Sequence, residues 1–189
     1  MKALTPLLLL VMPVFVVAQD VFTNQTHSAL QKVINDYPNN FKNIKGKVLV
    51  ENPQTTDYAS NVQIPGALNT VITRYSPEGD AEIYSWKCVL LESEDFELVT
   101  RKYKEVYNQM KNSIIKLDGN KPFILNGTYV DPTEEKRFTV TNFTLVPASG
   151  FLKKLKVELT LEYQVTEWKV SLLVYDQPDE VVAMELSTD

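Results

Sequence analysis

The chain is poor in the residues that do chemistry. It has one cysteine and one histidine in 189 residues. A lone cysteine has no intrachain disulfide partner, so the fold must be held by a hydrophobic core. One histidine and one cysteine also fall short of the three or four such ligands in the usual zinc sets. The six glycines form no phosphate-cradling loop, and neither a Gly-x-Ser-x-Gly elbow nor a His-Glu-x-x-His pair occurs. Basic side chains are outnumbered 19 to 24, for a formal net charge of −5. That balance argues against nucleic-acid binding, which needs clustered Lys and Arg. The single basic cluster, Lys153-Lys154-Leu155-Lys156, is expected on a solvated edge strand. No cofactor is called for.

Long apolar runs are scarce as well, and the longest is at the start. Lys2 is followed by an apolar stretch from Leu7 to Val17, and Val16-Val17-Ala18 puts compact residues at a cleavage site. Residues 1–18 therefore read as a secretory signal peptide cut between Ala18 and Gln19. The run is shorter than the roughly 20 apolar residues of a membrane span. After signal removal no membrane span is expected, and the location is periplasmic or extracellular.

The remainder reads as alternating helical and extended segments. Ala29, Leu30, Val33, Ile34 and Tyr37 step at helical spacing and predict a helix over 25–36, stopped by Pro38-Asn39-Asn40. Strands are expected near 44–51, 57–64, 68–75 and 82–92, with Gly, Pro and Asn between several of them. A second helix is predicted over 94–117, capped by Ser93, its stripe running from Phe96 to Leu117. At that length it would measure about 36 Å. Four more strands are expected near 122–130, 136–146, 153–164 and 166–176. In the third of these, Leu155, Val157, Leu159, Leu161 and Tyr163 alternate with Lys156, Glu158, Thr160 and Glu162. Residues 177–189 read as an acidic tail.

The order helix-plus-four-strands occurs twice, and residues recur with it. Trp86-Lys87 matches Trp168-Lys169, and Leu90-Leu91 matches Leu172-Leu173, both 82 positions on. Phe41 matches Phe123 at the same offset, and Val33-Ile34 matches Ile114-Ile115 one position closer. These matches predict an α+β fold made by tandem duplication of a helix-plus-four-antiparallel-strand unit, with helices packed on one side of the sheet or sheets. The units would be 19–92 and 93–176, sharing a core. In outline this resembles exported tandem α-plus-four-strand proteins of the β-lactamase-inhibitor type and duplicated cystatin-like folds. The resemblance implies inhibition of a partner protein, but the Gln-x-Val-x-Gly loop of cystatins and the disulfides of the inhibitor type are missing.

Each reactive side chain has a plainer reading beside the chemical one. Cys88 with His27 would make a nucleophile and its base only if the two touch and the thiol is activated. The repeat sets Cys88 against Val170, so packing is the expected role. Asp131-Pro132-Thr133-Glu134-Glu135 lacks calcium-loop spacing and is expected to be a charged hairpin tip. Asn24, Asn126 and Asn142 begin glycosylation sequons, a low-information pattern. Trp86 and Trp168 are the candidate ligand or core aromatics, either lining a shared apolar cavity or pinning two cores. The function this leaves is a non-catalytic binding module whose partner is a protein, a peptide or a small apolar ligand. The alternatives are a carrier of a lipid or other apolar ligand, or a carboxylate-dependent enzyme.

Overall fold

The computed structural model describes residues 24–76, 82–117, 122–147 and 150–177. The expected signal peptide over 1–18 and nearly all of the expected acidic tail over 177–189 lie outside these residues. The chain runs α1 (Gln25–Asp36), β1 (Lys45–Glu51), β2 (Thr55–Ser60), β3 (Asn69–Tyr75), β4 (Ile83–Ser93) and α2 (Phe96–Met110). It continues through β5 (Ile114–Ile115), β6 (Phe123–Gly127), β7 (Phe138–Val146), β8 (Leu155–Gln164) and β9 (Glu167–Asp176). All nine strands join one antiparallel sheet in the order β1-β2-β3-β4-β9-β8-β7-β6-β5.

The centre of the sheet is where the sequence alternates most cleanly. In β4, Tyr84, Trp86, Cys88 and Leu90 are buried, while Ile83, Ser85, Lys87 and Val89 between them are only partly covered. In the adjoining β9, Trp168, Val170, Leu172 and Val174 are buried. Period-two patterning of this kind buries one face of a strand. Over that face α2 contacts β4, β8 and β9, and α1 lies beside α2. Val99, Tyr103, Val106 and Met110 of α2 join Leu30, Val33 and Ile34 of α1 in one continuous core. Far along α2, the Tyr107 ring packs at a tilt of 55° against Tyr129, with centroids 4.9 Å apart, and its hydroxyl donates to the Gly127 carbonyl at 3.1 Å. Gly127 cannot be larger, since a Cβ there would sit 2.7 Å from the Phe143 ring.

Asp36 organises the exit from α1. It is buried, and its carboxylate accepts from the backbone N–H of Asn43 at 2.9 Å and of Ile44 at 3.1 Å. The Asn39 and Asn43 side-chain amides donate to its other oxygen. Inside this loop Asn40 and Phe41 both take positive φ, 54° and 55°. For a fully buried phenylalanine that conformation is costly and must be held by its surroundings.

The structure corrects the fold expectation. The described residues form one nine-stranded sheet with two helices, not a tandem duplication of a helix-plus-four-strand unit. Val33-Ile34 lie in α1, whereas their supposed copies Ile114-Ile115 form β5 and pair with Ile124 and Phe123. Phe41 lies in a loop and Phe123 in β6. The 82-residue offset would carry β1 largely into the loop after β6. The tryptophans also have different surroundings. Trp86 is fully buried and donates to the Ser60 hydroxyl at 3.1 Å, whereas Trp168 packs against the rings of Phe96 at 4.8 Å and Tyr163 at 5.1 Å. The matched residues owe their likeness to two neighbouring central strands needing the same alternation. A second correction concerns Lys153–Lys156. They lead into β8, which lies between β7 and β9 and is not an edge.

Candidate functional site

Cys88 lies on the helix-covered face, fully buried, with the Thr70 hydroxyl donating to its sulfur at 3.3 Å. Burial pushes its thiol above the ordinary range, while Thr70 and the Ile64 backbone pull the other way. An activated nucleophile needs the opposite balance. His27 belongs to α1, and the hydrogen bonds of the thiol are to Thr70 and Ile64. The structure therefore does not bring the two together. Among the described residues, no three His, Cys, Asp or Glu side chains gather in a way that could hold a metal. Glu134 and Glu135 are exposed on their hairpin. Hydrogen bonds from its own backbone and from Thr133 hold the Glu135 carboxyl below its ordinary value.

Trp86 and Trp168 lie on adjacent strands but far apart. Trp86 faces Val174 and Trp168 faces Ser93 in the β4–β9 ladder. Six positions of strand separate them, about 20 Å. Neither ring lines either of the two clefts described next.

The larger cleft is an open groove of about 1520 Å³ beside α2. One wall is a turn in which Pro65 precedes Gly66, with Gly66 at φ 81° and the Ala67 N–H donating to the Ile64 carbonyl at 3.0 Å. Proline then glycine suits a turn of that shape, because the third position needs positive φ. Ile64, Leu90 and Val106 form the apolar floor and are all buried. Leu98 projects from α2 at the rim, 39% exposed. Arg101, Lys102 and Glu105 also stand at the rim, and each is paired within the helix, Arg101 with Glu97 at 3.7 Å and Lys102 with Glu105 at 3.1 Å. The end of the groove is closed by the start of α1. There Asn24 and Thr26 both hydrogen-bond to Gln109 of α2 at 2.5 Å. No sequence motif marks this groove, because its lining comes from four separate stretches.

The smaller cleft, about 350 Å³, holds Glu82 and Asp176. Tyr84 donates to Glu82 at 2.8 Å and Tyr37 donates to Asp176 at 2.7 Å. Burial first, then these bonds to carboxylates, raise both phenols, Tyr84 up to about 12. Both carboxylates are thus engaged by protonated phenols.

On the opposite face of the central strands, two lysines are held in ion pairs. Lys169 meets Glu92 at 3.0 Å, and Lys87 reaches diagonally across β9 to Glu162 at 3.4 Å. Ser171 and Thr160 lie in the rows between, which explains why they are buried on a face that no helix covers. No described helix is long and apolar enough to cross a membrane. No protein-family model matches the chain, and neither a curated protein nor a solved structure shows significant similarity to it.

Proposed function

We propose that the protein is an exported binding module, holding an extended peptide or a loop of a partner protein in the groove beside α2. The observation that carries this reading is the groove itself. It exceeds the roughly 300–1,000 Å³ usual for small-ligand pockets, and it is open to solvent rather than enclosed. Its floor is apolar and its rim charges are already paired. A site of that make-up favours a partner that lays apolar side chains along a strip of backbone against exposed Leu98 and Pro65 and half-buried Ala67 and Leu91, above a floor that is already sealed from water. The reading requires no reaction.

Selection from a library of random displayed peptides tests it. Peptides with apolar anchors should be enriched, and Leu98→Arg should weaken them about tenfold, the equivalent of one lost buried contact. Lys104→Ala, on α2 but outside the groove, should leave them unchanged. A failure to enrich any peptide, or equal binding to Leu98→Arg, would refute the groove as the site. Export rests on the apolar stretch before Ala18. N-terminal sequencing of the natural protein should begin at Gln19, and a retained Met1 would contradict it.

A further inference from the structure

We propose that the free edge of β1 pairs with β1 of a second copy, extending the sheet across a two-fold axis at Leu49. Of the two sheet edges, β5 is only two residues long and offers little to pair. β1 is seven residues long and bonded on one side only. From Lys47 to Glu51 every residue is exposed, on both faces of the strand, including Val48 at 51%, Leu49 at 45% and Val50 at 49%. An exposed apolar edge presents unpaired N–H and C=O groups to another chain.

The sequence of this edge is complementary to itself. Lys47-Val48-Leu49-Val50-Glu51, laid antiparallel on its own copy, sets Lys47 opposite Glu51, Val48 opposite Val50 and Leu49 opposite Leu49. Directly opposed charges of unlike sign and β-branched pairs are the favourable cross-strand combinations. Neither Lys47 nor Glu51 has an ion pair among the described residues, so both are available. Register is specified too. Shifting the axis to Val48 would pair Glu51 with Lys45, whose ammonium already lies over the Tyr58 ring at 4.5 Å. Shifting it to Val50 would set Glu51 against Leu49. The β1–β2 ladder is irregular between Val48 and Val50, which leaves Leu49 without a partner on β2 at the centre of the proposed axis. Such a bulge blunts an edge against indiscriminate pairing. The matching charges restrict what it accepts to this strand in this register. A two-fold contact of one patch with itself gives a closed dimer, and it leaves the α2 groove free.

Sedimentation equilibrium of the purified protein over a concentration series tests the proposal by charge reversal. The unmodified protein should show a monomer–dimer equilibrium. Lys47→Glu alone sets two carboxylates against each other twice per dimer, and Glu51→Lys alone does the same with two ammonium groups. Each should raise the dissociation constant about tenfold or more. The double variant Lys47→Glu with Glu51→Lys restores unlike pairs and should recover the dimer. All these side chains are exposed, so at concentrations low enough for every variant to be monomeric, melting temperatures should stay close to the parent. A monomer at every concentration would overturn the proposal. So would a dimer indifferent to the single reversals, or a double variant no better than either single one.

Discussion

At the scale of single residues, Asp36 does more than any charged side chain in the described chain. Its carboxylate holds the loop in which Phe41 enters the core at φ 55°. Replacing it with alanine removes the acceptor of the Asn43 N–H and one acceptor of the Ile44 N–H, in a place water reaches poorly. Asp36→Ala should therefore cost about 2–3 kcal/mol of stability, read as a lower denaturant midpoint with an unchanged slope. Asp36→Asn keeps an oxygen acceptor and should cost clearly less. Equal midpoints for all three proteins would show that the loop is held by something else. The same scale explains Cys88. A fully buried thiol, held by the Thr70 hydroxyl and with its pKa raised by burial, fits packing in the core, and this holds without any appeal to a matching valine.

At the scale of elements, the sequence was legible where one rule acted alone. The 25–36 helix and the strands near 68–75, 82–92 and 166–176 are found within a residue or two of their expected ends, because alternation and helical stepping there are uninterrupted. α2 was not. The expected helix over 94–117 is observed as Phe96–Met110, 15 residues or about 22 Å. Ile114 and Leu117 continue its three-and-four spacing by coincidence. The helix ends where Lys111 leaves the helical region at ψ 129°, and Asn112 at φ 61° then completes the turn, after which Ile114 and Ile115 become an edge strand. Asparagine tolerates that conformation, but Lys111-Asn112-Ser113 suits a helix surface equally well, so spacing outvoted the turn. The cap also moved, from Ser93 to Asp95, whose side chain accepts from the Leu98 N–H at 3.0 Å. The groove was not legible at all. Its floor joins β4, a Pro-Gly turn and α2, and only the pairing of distant strands brings them together.

At the scale of the whole molecule, the decisive feature is the β4–β9 seam. β4 and β9 are 11 and 10 residues long and sit side by side near the middle of the sheet. Through that seam the two halves of the chain share one core, and the groove, lying between β4 and α2, takes Ile64 and Leu90 from one half and Leu98 and Val106 from the other. A groove built this way exists only while both halves are folded together. The sequence suggested copies because two central strands obey one packing rule; the pairing of those strands is what makes the halves a single unit. Native-state hydrogen exchange tests this most directly. Amides of β4 and β9 should be the slowest in the protein and should exchange together, only through global unfolding. If the 24–93 and 96–176 segments instead exchanged as separate units, each with its own opening free energy, the single-sheet account and the groove that depends on it would be contradicted.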